Sequence, residues 1–260
     1  MRIALGVEYN GAPFSGWQSQ RDGIVTVQGN VERALAKVAD HPIRVFCAGR
    51  TDTGVHGLGQ VVHFDTDSVR DMRGWVHGTN AHLPDSIAIA WAKPVADEFH
   101  ARFSATRRRY RYVIYYRPVR SPFMDSRVTW SYRKLDVTRM SEAANFLVGE
   151  HDFTSYRALG CQAHSPMRSL YRLDVSQQGE FIYLDLEANG FLHHMVRNIA
   201  GVLMTIGAGE SEPIWAQQIL EHKDRTKGGV TAPSSGLYFC QVTYPDYYQI
   251  PSNSSTAFPW

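Results

Sequence analysis

The stretch AGRTDTGVHGLGQ, residues 48–60, gathers four glycines around a single carboxylate, Asp52. Arg50 stands two residues before that acid and His56 four after it. Three chemistries fit an acid so placed. A turn aspartate accepts from nearby backbone N–H groups and needs no further role. A glycine-rich loop can also cradle phosphate, but GRTDTGVHG lacks the GxxxxGK[ST] spacing and an acid repels the anion. The third chemistry is a catalytic carboxylate. Glycines on both sides let a substrate come close to the backbone. Arg50 would hold the acid ionised, because a neighbouring positive charge favours the carboxylate. A nucleophile or general base needs that state. His56 reads as a hydrogen-bonding loop residue rather than a proton-transfer partner.

A second acid pair, DTDS (65–68), matches the DxDx[ST] pattern of aspartyl-phosphate phosphatases. It follows a strand in a βαββαβ order rather than in a doubly wound sheet. It therefore reads as a strand end, with Asp67 or Ser68 capping the next helix. Metal binding has little support: there is no CxxC and no HExxH. His193–His194 is the one adjacent pair, and neighbours on a helix point about 100° apart. Three widely spaced cysteines, Cys47, Cys161 and Cys240, argue for reduced thiols in the cytoplasm. With no apolar run of about 18 residues, no membrane span is expected. The early acid and glycine of MRIALGVEYNG argue against a signal peptide.

The net charge of +2 singles out no partner, but its make-up does. Of 27 basic residues 22 are Arg and five are Lys. Six arginines fall between residues 107 and 120: Arg107, Arg108, Arg109, Arg111, Arg117 and Arg120. Tyr110, Tyr112, Tyr115 and Tyr116 lie among them. Solvated charge explains part of this. Guanidinium groups that read phosphate, beside rings that stack on bases, are also what looped or single-stranded RNA requires.

The elements that must position these residues follow from periodicity. RIALGVEY (2–9) alternates like a half-buried strand, and TVQGNVERALAKVAD (26–40) carries Val27, Val31, Leu35 and Val38 at helical spacing. IRVFC (43–47) and VVHF (61–64) read as strands flanking the glycine-rich loop. A weaker helix covers 68–82 on a Val69, Met72, Val76, Thr79 stripe, and SIAIAWAKPV (86–95) is a strand. The second half repeats the β-α-β-β-α-β order. Its strand is 106–116, its helix 137–149 and its hairpin 169–177 with 180–188 turns at Gln178-Gly179. Helices at 191–209 and 212–222 and a last strand at 236–245 complete it. That order is the ferredoxin-like or split βαβ unit. The expected fold is thus α+β with two ferredoxin-like halves. The first domain is 1–100 and carries the Asp52 loop. The second is 101–248 with inserted loops, and 249–260 is a tail.

The Asp52 stretch also resembles the GRTD-x-GVHA motif around the catalytic aspartate of the tRNA pseudouridine synthase A family. YNGAPFSGWQSQ (9–20), TVQGNVERAL (26–35) and FHARFSATRRRYRY (99–112) resemble further family segments. HDFTSYRA (151–158), FLHHMVRNIAGVLMTIGAGE (191–210) and TAPSSGLY (231–238) follow in family order. The likeness runs through nearly the whole chain up to about residue 245. It implies antiparallel sheets meeting around a basic cleft, a homodimer with one tRNA spanning both subunits, and no cofactor or metal. It also implies isomerisation of uridine to pseudouridine at tRNA positions thirty-eight, thirty-nine and forty in the anticodon stem-loop. Asp52 would be the essential carboxylate, attacking C1′, attacking C6 or abstracting a sugar proton. The target base must leave its stack to meet it.

By the same resemblance, Arg50 contacts phosphate or fills the space of the flipped nucleotide, and Tyr110 stacks on the target base. Arg197 pairs with the catalytic acid, and Leu237 packs against the base. Arg107 and Arg108 are assigned to the RNA backbone. Strand packing is the alternative for Tyr110, and core packing for Leu237. Phe14 and Trp17 read as packing under the first loop. Gly57 stands where the family usually has Ala, which would loosen the loop. The rival reading is a non-catalytic RNA-binding module of RRM-like fold, although no [KR]-G-[FY]-[GA]-F-V-x-[FY] segment is present.

Overall fold

The computed structural model describes residues 1–20 and 23–251, so residues 252–260 of the expected tail lie outside the described residues. The chain is a mixed α/β protein with five α-helices and ten strands, mostly paired antiparallel, among the described residues. It divides into two units, Met1–Arg107 with Tyr238–Trp260, and Arg108–Leu237.

The first unit runs β1 (Arg2–Tyr9), α1 (Val27–Ala39), β2 (Phe46–Cys47), β3 (His56–Asp65), α2 (Met72–Asn80) and β4 (Ile87–Val95). Its strands lie in the order β4-β1-β3, with β2 on the far side of β3, and all these pairs are antiparallel. β10 (Leu237–Thr243) adds a short parallel pairing to β3, Tyr238 opposite His56 and Phe239 opposite Gly57.

From Ile3 to Val7 β1 is buried on both faces, although its alternation predicts a half-buried strand. Gly6 makes this possible: the Trp91 indole covers it so closely that a Cβ would sit 2.2 Å from Nε1. On one face Ile3, Leu5 and Val7 meet Val27, Val31 and Leu35 of α1 and the fully buried Trp75 of α2. Thr26 stands just before α1 and caps it, with its hydroxyl accepting from the Gly29 N–H at 3.2 Å. The α2 cap is Asp71, not Asp67 or Ser68. Val69 lies before the helix and is exposed, and Trp75 provides the buried contact. Asp65 of DTDS is held by Arg2 through two bonds, at 2.8 and 2.9 Å.

The second unit is built on β5 (Arg107–Tyr116), which starts at the unit boundary, then β6 (Thr129–Ser131), α3 (Val137–Asn145), β7 (Gly149–Asp152), β8 (Met167–Gln178) and β9 (Phe181–Ala188). α4 (Met195–Gly207) and α5 (Trp215–His222) follow. The strand order is β5-β9-β8-β7, with β6 parallel to β5. Gly149 opens β7 at φ +120° instead of closing the preceding helix. α4 starts four residues later than its apolar pattern predicts. His194 takes φ +61°, so FLHH is a turn and His193–His194 is not a helical pair.

Two predictions follow from the first unit's packing. Gly11 lies against the Val55 carbonyl, where a Cβ would come within 1.9 Å of the oxygen. Gly11→Ala is expected to lose about 1–3 kcal/mol by overpacking, read as a lower urea midpoint. Buried His63 accepts from the Ala101 N–H at 3.1 Å through Nδ1. Burial, then His100 and Arg2 nearby, push its pKa down to about 4. In the unfolded chain a histidine protonates near 6.5. Stability is therefore expected to drop as pH falls from about 6.5 to about 4, by up to roughly 3 kcal/mol. Urea midpoints at pH 7 and 5 check this; His63→Asn should remove most of the pH dependence.

Candidate functional site

The loop carrying Asp52 is shorter than the sequence implies, because β3 begins at His56 and takes up HGLGQ. What remains, 48–55, is fixed at both ends. Gln60 on β3 grips Gly49: its Nε2 donates to the Gly49 carbonyl at 2.6 Å and its Oε1 accepts the Gly49 N–H at 3.4 Å. Thr51 is buried and held twice. Its hydroxyl pairs with the Tyr9 hydroxyl at 2.9 Å, and its carbonyl accepts the Trp17 N–H at 3.0 Å. Beyond the acid, the Val55 N–H closes a turn onto the Asp52 carbonyl at 3.1 Å, with Gly54 at φ +79°.

The segment 9–17 braces this loop from beneath. Gly16 takes φ +86° and its Cα faces the Thr51 carbonyl, where a Cβ would approach to 2.8 Å. Phe14 and Trp17 are buried, with Trp17 tilted against Tyr9 at 5.7 Å, so both pack under the loop as expected. His56 Nδ1 accepts the Gly11 N–H at 3.1 Å, and its ring stacks on Tyr238 at 4.6 Å. That bond uses Nδ1 as an acceptor, in keeping with a loop-fixing role. Gly57 is covered by the Tyr9 ring, which a Cβ would meet at 2.3 Å, so the glycine makes room for a ring rather than loosening the loop. Asp52 itself is half-buried and Arg50 is exposed.

The second unit carries Tyr110, Arg108, Arg197 and Leu237. Arg107, exposed, ends the first segment of the first unit. Tyr110 sits on β5 opposite Leu186, buried, with its ring at 79° to Phe191 at 4.9 Å. Tyr112, two residues on, is fully buried and its hydroxyl donates to the Pro233 carbonyl at 2.8 Å. Burial pushes that phenol's pKa up, so it acts as a structural hydroxyl. Arg108 donates to the Asn189 carbonyl at 2.9 Å. Arg111 forms a two-bonded pair with Asp185 at 2.7 and 2.8 Å, which takes one of the six clustered arginines for the sheet.

Arg197 lies on α4 and its Nε donates to the Ala232 carbonyl at 2.8 Å, while the Ala232 N–H returns to the Arg197 carbonyl at 3.1 Å. Leu237 is buried at the start of β10, its N–H bonded to the Ser234 carbonyl at 2.9 Å. Two residues that the sequence reading passed over, Arg225 and Asn198, join with Thr231 to hold the loop 228–236 to α4. Arg225 donates to Asn198 Oδ1 at 3.1 Å, to the Thr231 hydroxyl at 3.0 Å and to the Gly229 carbonyl at 3.0 Å. Thr231 also donates to Asn198 at 2.6 Å, and Asn198 donates to the Tyr156 carbonyl at 2.7 Å. The signal was present: an amide inside an apolar helical run must find partners when buried. Gly201 permits the approach, since a Cβ there would fall 1.8 Å from the Val230 carbonyl.

No helix is long and apolar enough to cross a membrane among the described residues. The family pattern described as tRNA pseudouridine synthase matches residues 6–104 and 143–245. The tRNA pseudouridine synthase A of Alcanivorax borkumensis is 55% identical over 250 residues, 96% of this chain and 94% of that one. That of Nitrosococcus oceani is 55% identical over 260 residues and the full length of both. That of Pseudomonas aeruginosa is 55% identical over 250 residues, 96% of this chain and 88% of the relative. A solved Cbf5-Nop10-Gar1 complex aligns with a TM-score of 0.32 at 13% identity, over 78% of this chain and 45% of that one, a likeness that carries no argument. With the pattern matched over most of its length and relatives more than half identical along nearly all of it, the chain belongs to the tRNA pseudouridine synthase family.

Proposed function

We propose that this chain converts uridine to pseudouridine at positions thirty-eight, thirty-nine and forty of the tRNA anticodon stem-loop, with Asp52 as the essential carboxylate. The observation that carries the reading is the fixed backbone around Asp52, with Thr51 bonded to Tyr9 and Trp17 and the Val55 turn closed behind the acid. A carboxylate held on such a loop meets an incoming nucleotide without reorganising, so its positioning lowers the barrier. The C1′–N1 bond breaks, the base turns, and C5 bonds to C1′. The proton on C5 leaves to solvent and N1 gains one, so the change is redox-neutral and asks for no cofactor or metal. The target base is out of its stack when it reacts.

Tyr110 is assigned to stacking on that base. Arg50, Arg197 and Leu237 are assigned to holding the nucleotide, and Arg107 and Arg108 to the RNA backbone. The edge-on Phe191 ring supports the Tyr110 role, because it fixes the phenol's orientation. The bonds from Arg197 to Ala232 support its role by orienting the guanidinium. The same reading carries a cytoplasmic homodimer and two ferredoxin-like halves. The antiparallel β4-β1-β3-β2 order supports the ferredoxin-like description of the first half.

Tritium release from tRNA labelled at uridine C5, in the presence of EDTA, tests the reaction. Wild type is expected to release label and Asp52→Asn to release none, with tRNA affinity and thermal midpoint held. Tight binding with no release from wild type would leave a non-catalytic RNA-binding module. Replacing Arg107 and Arg108 together by Ala is expected to flatten the salt dependence of tRNA binding by about two in log–log slope. An unchanged slope would take both arginines off the RNA.

A further inference from the structure

The turn from His100 to Ser104 presents aromatic surface on a rigid support. The N–H groups of Arg102 and Phe103 both donate to His100 Nδ1, at 3.1 and 3.3 Å. The His100 N–H donates to the Ser104 hydroxyl at 3.0 Å, and the Ser104 N–H donates back to the His100 carbonyl at 2.9 Å. Ala101 is anchored through its N–H to His63 and through its carbonyl to the Tyr244 hydroxyl at 2.7 Å. Yet Phe103 at the head of this turn is 75% exposed, and Phe46 on β2 is 48% exposed.

The rings form a chain. Phe46 stacks on His63 at 5.2 Å and 22°, and reaches His100 at 5.8 Å. His100 meets Phe103 at 4.3 Å, and the Arg102 guanidinium lies over the Phe103 ring at 5.4 Å. A lone exposed phenylalanine is ordinary. A linked run of rings, built on a hydrogen-bonded turn and topped by a cation, is not explained by core packing. The patch is too small for a stable contact with a second copy. Such an interface takes about 800 Å² from each partner, and two exposed phenylalanines of about 200 Å² each fall well short. A π-face beside a guanidinium suits an unstacked base and its phosphate.

We propose that Phe46, His100, Arg102 and Phe103 form a stacking platform for an unpaired nucleotide of the RNA, a second contact besides the Asp52 loop. The inference rests on the tRNA reading above. The platform contributes binding and takes no part in the bond changes.

The test is tRNA binding by the full-length protein across a range of salt, alongside tritium release. Phe103→Ala is expected to weaken binding about tenfold or more with an unchanged salt slope, and kcat/KM should fall with it. Phe103→Trp should keep wild-type affinity, since any large π-face serves. Arg102→Ala should lower the salt slope by about one. Equal affinity for wild type and Phe103→Ala would overturn the platform. So would a loss of affinity accompanied by dissociation into smaller species in light scattering, which would make the patch a protein–protein surface. Phe103-dependent binding by a wild type that releases no tritium would sustain the platform and sink the catalytic reading.

Discussion

The candidate site depends on backbone meeting backbone at distances that only glycine allows. Gly11 against Val55 and Gly16 against Thr51 let the segment after β1 lie directly under the Asp52 loop. That approach brings the Trp17 N–H to the Thr51 carbonyl and the Tyr9 hydroxyl to the Thr51 hydroxyl. Every non-proline residue has one donor and one acceptor to satisfy, and an irregular loop rarely satisfies them alone. Here the neighbouring segment supplies partners at Thr51 and the Val55 N–H closes onto Asp52, so the glycine-bearing loop is tied down at Thr51 and Val55.

The second unit solves a similar problem with side chains. Residues 228–236 have no regular ladder, and Arg225, Asn198 and Thr231 take its place, forming a closed set of bonds between the loop and α4. Arg225 lies among neutral acceptors, which orient a guanidinium without the cost of burying a second charge. The consequence reaches Arg197, one residue before Asn198 on the same helix, whose own bonds run to Ala232 in that loop. Helix and loop are thereby set together, and so is the cation assigned to the substrate.

The arginine-rich strand shows how a sequence feature divides between fold and function. Alternation along β5 places Arg109 and Arg111 on one face and Tyr110 and Tyr112 on the other. Asp185 takes Arg111 into the sheet, and Pro233 and Thr129 take the Tyr112 hydroxyl into the core. Tyr110 has a ring neighbour in Phe191 and sits nearer the end of the strand. Composition alone could not separate Tyr110 from Tyr112, because both are aromatic residues two apart on one strand.

Local signals in the sequence were enough for much of this. The hydrophobic periods gave α1, β1, β4 and the β8–β9 hairpin, because each is set by the residues it contains. The Asp52 motif and its relatives along the chain identified the family. Where the sequence reading failed, partners distant in the chain decided. β3 absorbed half of the glycine-rich stretch because β1 and β10 offered it ladders. Gly57 became a seat for the Tyr9 ring, and α4 began after a left-handed His194 despite an apolar run that starts earlier. Asn198 and Arg225 were passed over since their value lies in bonds across 27 residues of chain. The sequence by itself determined which residues could do chemistry and where the longer helices and strands would lie. The tertiary structure decided how firmly Asp52 is carried and which arginines and tyrosines the sheet keeps, because those depend on hydrogen bonds and close contacts between segments that no local pattern records.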